Sequence, residues 1–185
     1  EIRKINKHTG KVINFNKLQS KYFGEGLTIY DDKIFQVTWK SNKGFVYDIN
    51  NFKLLDEFKI YGQGWGLTND GKSLILSDGS EKIYYLNPKN FEIEKTISVS
   101  VNGNKLIYIN ELEFIRGEIW ANIWKSNDII TVNPLSGVVT SIFDISKISE
   151  QTEIEDVANG IAWDKVNDKI FITGKNWNFI YLLDI

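Results

Sequence analysis

The sequence predicts an all-β chain folded as a five-bladed β-propeller, with the first two strands of the opening blade missing from these residues. Three observations lead there. A short pattern recurs as Glu25-Gly26-Leu27-Thr28, Trp65-Gly66-Leu67-Thr68, Asn110-Glu111-Leu112-Glu113 and Asn159-Gly160-Ile161-Ala162. Its first residues lie 40, 45 and 49 positions apart, the span of a four-stranded blade of roughly 40–50 residues. Aromatics make up 14% of the chain, with 11 Phe, 8 Tyr and 6 Trp, and aromatic side chains favour strands.

Each pattern opens the first strand of a unit. Second strands are expected at 34–40, 74–79, 119–125 and 170–175, where short apolar runs end in polar or aromatic residues. Third strands follow at 45–48, 83–87, 129–133 and 179–182, and fourth strands at 54–58, 93–99 and 138–143. Turn chemistry separates them: Asn69-Asp70-Gly71, Asn87-Pro88, Asn133-Pro134 and Ser136-Gly137. Residues 2–6 and 12–15, joined by His8-Thr9-Gly10, read as the third and fourth strands of an opening unit. Seventeen strands fit a five-bladed ring of twenty better than a four-bladed ring of sixteen. One propeller domain over 1–185 is therefore expected. Residues 1–18 end the opening blade. Residues 22–60, 61–102 and 106–145 form three complete blades, 146–158 a loop and 159–185 an incomplete last blade. The polar, acidic stretch 144–158 has a weak helical pattern and reads as a short helix or a surface loop.

Composition excludes several chemistries. The chain has 185 residues, with 22 Lys+Arg against 24 Asp+Glu. That near-neutral balance gives no electrostatic footprint for nucleic acid. No apolar run approaches the ~20 residues of a membrane span. With no Cys and one His, disulfides, thiolate catalysis and multi-histidine or Cys-based metal centres are ruled out. There is no Met, so residue 1 is not a natural translation start, and no signal peptide is visible. There is no Gly-x-Ser-x-Gly elbow. The glycines around Gly64 precede no helix and imply no phosphate loop.

In a propeller the starts of the first strands converge near the axis. Here they bring one carboxylate (Glu25), one indole (Trp65) and two amides (Asn110, Asn159). The far ends of the second strands add Trp39, Trp124 and Lys175, with Trp177 just beyond. An aromatic pocket with few polar groups suits a small-molecule site. A carboxylate walled by indoles should have a raised pKa, which suits acid/base work near neutrality. Taken alone, Glu25 reads equally as a bulge residue bonded to backbone N–H groups, and Lys175 as a solvated turn residue. Trp120 and Trp163 read as packing between blades, and His8 as plain surface. Glu25 with Glu111 as a glycosidase pair has only repeat position behind it.

The ordered stretches Tyr22-Phe23-Gly24-Glu25-Gly26-Leu27-Thr28, Gln36-Val37-Thr38-Trp39, Gly64-Trp65-Gly66-Leu67, Ser77-Asp78-Gly79, Asn110-Glu111-Leu112-Glu113, 118–124, 159–164 and 171–177 carry a resemblance from end to end. The chain resembles the plant-type glutaminyl-peptide cyclotransferases, also called glutamine cyclotransferases. The resemblance implies a five-bladed propeller that converts an N-terminal glutaminyl residue to pyroglutamyl and releases ammonia, without catalytic zinc. It implies proton transfer by Glu25, carbonyl polarisation by Asn110 and Lys175, pocket indoles at Trp39, Trp65 and Trp124, and a wall at Phe23. Gln36 is counted with the substrate-binding residues. No catalytic cofactor is implied. A structural calcium in the central channel, held largely by backbone carbonyls, is. The family's opening-blade motifs, Phe-Thr-Gln-Gly-Leu and Glu-Ser-Thr-Gly, do not occur in these residues. The expected partners are peptides or proteins with N-terminal Gln, and the expected state is a monomer, secreted or periplasmic. The alternative reading is a catalytically silent propeller that binds peptide N-termini or serves as an interaction module.

Overall fold

The recurring pattern marks where each sheet begins. In the computed structural model, which describes residues 1–149 and 157–184, the first complete sheet is β3 (Gly24–Tyr30), β4 (Lys33–Thr38), β5 (Lys43–Asp48) and β6 (Leu54–Lys59) in antiparallel order. The next is β7 (Leu67–Asn69), β8 (Leu74–Ser77), β9 (Lys82–Leu86) and β10 (Ile93–Ser98). The third is β13 (Ile109–Ile115), β14 (Glu118–Ile123), β15 (Asp128–Val132) and β16 (Val139–Asp144). The fourth has three described strands, β17 (Ala158–Asp164), β18 (Lys169–Gly174) and β19 (Tyr181–Leu183). These are four blades of a propeller-like, all-β arrangement. A two-stranded sheet, β1 (Ile2–Ile5) with β2 (Val12–Asn16), precedes them.

The blades stack face to face because their strands are apolar on both faces. Phe35 and Val37 of β4 meet Leu67, Leu74 and Leu76 of the next blade. Ile75 and Ile83 meet Ile109, Leu112 and Ile119. Trp120 and Ile129 meet Ala158, Ile161 and Ile170. Trp120 also stacks on Phe143 with ring centroids 5.1 Å apart. The β1–β2 sheet seats Ile2 against Ile34, Phe45, Tyr47 and Phe52 of the first blade. Lys7, in its turn, reaches Asp164 of the last blade at 3.5 Å. Many of these side chains are fully buried, and burying each is worth roughly 1.5–3 kcal/mol.

The inner strands β3, β7, β13 and β17 are neighbours in that order. Their approach sets residue choice. Gly26 N–H donates to Trp65 O at 2.8 Å, and a Cβ on Gly26 would lie 2.5 Å from Leu67 N. A Cβ on Gly66 would collide with Asn110 O. In the third blade the same slot holds Glu111, whose carboxylate accepts from Ile161 N–H at 2.9 Å.

Two features differ from the sequence reading. The last third strand starts at Tyr181, not Phe179. Residues before it are used in a turn, where Trp177 N–H donates to Gly174 O and Thr173 Oγ1 donates to Phe179 O. A hairpin of β11 (Ser100–Val101) and β12 (Asn104–Lys105) lies between the second and third blades. Its turn is Asn102-Gly103, both at positive φ (51° and 79°), the backbone of a type I′ turn. The expected helix is the short α1 (Ser146–Ser149); the remainder of that expectation, 150–156, lies outside the described residues.

Gly26→Ala and Gly66→Ala should each lose at least about 3 kcal/mol or fail to fold, because neighbouring backbone cannot retreat. Gly62→Ala, in open space at φ +87°, should lose only about 1 kcal/mol. Urea unfolding monitored by tryptophan fluorescence would measure all three.

Candidate active site

The pocket is assembled from a repeated piece of backbone geometry. The register slips between Gly24 and Leu27, between Ile109 and Leu112, and between Ala158 and Ile161. Glu25, Asn110 and Asn159 therefore sit in β-bulges, which re-aim side chains out of the ladder. Across each bulge a second-strand exit is anchored to the segment before the inner strand. Trp39 N–H donates to Phe23 O at 3.0 Å, Trp124 N–H to Tyr108 O at 2.9 Å, and Lys175 N–H to Val157 O at 3.2 Å. Trp39, Trp124 and Lys175 are thus the same slot in three blades. In the remaining blade that slot is Gly79 at φ +84°, and the space a Cβ would need is filled by the Trp65 ring, 2.7 Å away.

These slots meet around a cavity of about 160 Å³ lined by Phe23, Glu25, Trp39, Trp65, Asn110, Trp124 and Lys175. Phe23 meets Trp39 edge-on at 5.9 Å, and Trp65 meets Trp124 edge-on at 5.5 Å. Tyr108 continues that wall at 5.7 Å from Trp124. The indole N–H of Trp65 donates to Gln63 Oε1 at 3.0 Å, which fixes the ring. Burial pushes the Glu25 carboxyl above the usual carboxylate range, and the Lys175 ammonium opposes part of that rise. The backbone of Asn110 is pinned by Ser77, whose hydroxyl donates to Asn110 O at 2.5 Å while accepting from Gly66 N–H at 2.8 Å. The arrangement can bind a small, partly apolar group, move a proton at Glu25, and offer Lys175 and Asn110 as donors to a carbonyl oxygen.

Two residues read from the sequence lie elsewhere. Gln36 is 2% exposed and does not line this cavity. A Cβ on Gly24 would lie 2.6 Å from its Nε2, so it supports the bulge from beneath. Asn159 instead lines the central channel, a cavity of about 940 Å³ that also touches Glu25, Trp65, Glu111, Glu113 and Trp163. Its Oδ1 is buried without a hydrogen-bond partner among the described residues. Glu111 and Glu113 serve the fold there. Glu113 accepts from Trp163 N–H at 3.1 Å and from Thr68 Oγ1 at 3.0 Å. Burial raises both carboxyls, and the nearby Glu113 carboxyl raises that of Glu111 further. Trp177 packs on Tyr181 at 5.8 Å, and His8 is exposed in its turn. Tyr108 was not anticipated, although it occupies the position two residues before Asn110 that Phe23 occupies before Glu25.

The fold and site define a propeller with an aromatic, single-carboxylate pocket at one end of its inner strands. The family model for glutamine cyclotransferases matches residues 1–185. The chain belongs to that family. It is 39% identical over 190 residues to the glutaminyl-peptide cyclotransferase of Arabidopsis thaliana, covering all of this chain and 59% of that protein's length. It superposes on the crystal structure of Myxococcus xanthus glutaminyl cyclase with a TM-score of 0.90 and 28% identity, over 98% of this chain and 82% of that one. The Neurospora crassa Pan2 WD40 domain shares the fold alone, with a TM-score of 0.53 and 11% identity over 94% of this chain and 66% of that one.

Gly79→Ala should push the Trp65 indole into the cavity and strain a left-handed backbone position. Trp65 fluorescence in a variant retaining no other tryptophan in the pocket should shift, and ligand affinity at this site should fall about ten-fold or more. Unchanged affinity would show that the ring is not held by that vacancy.

Proposed function

We propose that this protein is a glutaminyl-peptide cyclotransferase acting on peptides and proteins with N-terminal Gln. The observation that carries the reading is a half-buried carboxyl, Glu25, beside an ammonium, Lys175, in a pocket walled by Phe23, Trp39, Trp65 and Trp124. The neutral α-amine of the substrate attacks its own γ-carboxamide carbon. Glu25 takes the proton from the attacking nitrogen and delivers one to the departing nitrogen. The new C–N bond closes a five-membered ring, the old one breaks, and ammonia leaves. Lys175 and Asn110 donate to the oxyanion of the tetrahedral intermediate, an effect often worth ~3–4 kcal/mol per donor. The indoles hold the side chain folded over the amine and exclude water.

Several finer readings belong with this proposal. The β1–β2 sheet bridges the first and last blades through Ile2 and Lys7, which supports a five-bladed ring with 1–18 in its opening blade. A calcium ion in the channel is implied by the family. One observation supports it: Asn159 Oδ1, buried without a hydrogen-bond partner among the described residues, is an oxygen donor lining the same cavity as two carboxyls that have no cation among the causes of their shifts. Asn159 and channel carbonyls would hold it and steady the inner strands, away from the reacting atoms. Among the described residues no helix is long and apolar enough to cross a membrane. Secretion or a periplasmic location, and a monomeric state, are proposed from the family.

Glu25→Gln should lower kcat by about 10²–10⁴-fold while the fold survives. Ammonia release and peptide mass from a Gln-peptide would test it, and a variant near wild-type kcat would remove Glu25 from the role. The ionised form of Glu25 starts the reaction, so activity should rise with pH through its raised pKa. Lys175→Met removes the charge that opposes the rise. The acid limb of the kcat profile should therefore move to higher pH, with kcat down about 10²–10³-fold. Chelation with EDTA should lower Tm while leaving kcat at temperatures well below unfolding unchanged.

A further inference from the structure

We infer that the rim of this pocket selects peptides carrying an acidic side chain immediately after the N-terminal residue. The inference rests on the peptide-cyclising reading above and names the substrate class of the same site. Its basis is a repeated dipeptide. The second-strand exits of the first and third complete blades both read Trp-Lys: Trp39-Lys40 and Trp124-Lys125. Each lysine folds back over its own indole, with Nζ 3.9 Å from the Trp39 ring and 4.6 Å from the Trp124 ring. Both indoles line the cavity, so both ammonium groups are held at its edge rather than sweeping through solvent. Lys125 adopts a left-handed φ of 64°, which turns the chain at that point.

The charge there is not spent within the protein. Among the described residues, Lys40, Lys125 and Lys175 form no ion pair within 4.0 Å. The acidic groups on the neighbouring loops are engaged. Glu81 pairs with Lys105 at 2.7 Å. Asp78 accepts from Ser80 and Tyr84. Asp128 accepts from Ser126 at 2.7 Å. Glu57 pairs with Lys43. Glu25 lies within the pocket, already facing Lys175.

When the first residue occupies the cavity, the rest of the peptide leaves between the Trp39 and Trp124 walls. The second side chain then emerges beside two ammonium groups. A carboxylate there gains attraction at an exposed site, where each pair is worth little but salt-sensitive. Such fields act mainly on encounter and KM. The expected preference for Gln-Glu over Gln-Ala peptides is roughly three- to ten-fold in kcat/KM at low salt, with Gln-Lys below both.

The test compares Gln-Glu-, Gln-Ala- and Gln-Lys- peptides of equal length on the purified protein, at low and high salt. It repeats the comparison on Lys40→Met/Lys125→Met, which keeps the stems over the indoles, and on Lys89→Met at the opposite end. The inference expects the order Glu, Ala, Lys in kcat/KM. The spread should collapse with salt and in the double variant, and persist in Lys89→Met. Equal kcat/KM for the three peptides, or a preference that survives the double variant, overturns it while leaving the cyclising reading intact. If no peptide turns over, the same three are titrated against tryptophan fluorescence. Tighter, salt-sensitive binding of the Gln-Glu peptide then upholds the rim preference and removes cyclisation. Equal or absent binding overturns the rim preference.

Discussion

The structure depends on how closely its inner strands can approach one another. Blades are wedges, and their narrow ends must meet before their broad apolar faces can close. At Gly26 and Gly66 the next blade's backbone occupies the volume a side chain would need. Those two residues let Phe35 and Val37 reach Leu67, and let Ile75 reach Leu112. The third junction solves the same problem differently. Glu111 stands in the glycine slot, and its carboxylate bridges to the Ile161 N–H that a closer strand would have satisfied. Glu113 repeats the device at Trp163. Buried backbone donors must find acceptors, and here side chains supply them across the blade boundary.

This stitching accounts for buried polar residues that an apolar core would not call for. Thr68 donates to Glu113 and accepts from Phe114 N–H. Ser77 bridges Gly66 and Asn110. Asn122 accepts from Gly160 N–H at 3.0 Å. Each joins one inner strand to the next blade and fixes the angle between wedges. The bulges at Glu25 and Asn110 are held at the ends of these same strands, so the pocket inherits the rigidity of the stitching.

Most of the strand plan was legible in the sequence, because each blade alternates apolar runs with recognisable turns and opens on a repeated pattern. The three-dimensional meeting of Glu25, Trp39, Trp65, Asn110, Trp124 and Lys175 was legible for the same reason: equivalent slots in a repeat converge. What was not legible depended on direction rather than type. Gln36 and Trp39 sit three residues apart, yet the ladder at Gln36 turns its amide beneath Gly24 while the exit at Trp39 opens to the cavity. Asn159 shares the slot of Glu25 but faces the channel. The β11–β12 hairpin has a plain turn signal in Asn102-Gly103, but it interrupts the four-strand rhythm of the blades. Glu111 reads as half of a carboxylate pair in one dimension, and only the neighbouring strand shows that it is engaged by the Ile161 N–H.

The shared slot of Trp39, Trp124, Lys175 and Gly79 has a wider consequence. A repeated scaffold presents several sockets to one point, all made by the same backbone. Whether a socket contributes wall, charge or vacancy is settled by one side chain, at no cost to the frame that holds it. Chemistry on such a scaffold needs only that the copies cease to be alike. A molecule built by repetition can therefore acquire an asymmetric centre through single exchanges among its sockets, without inventing a new loop.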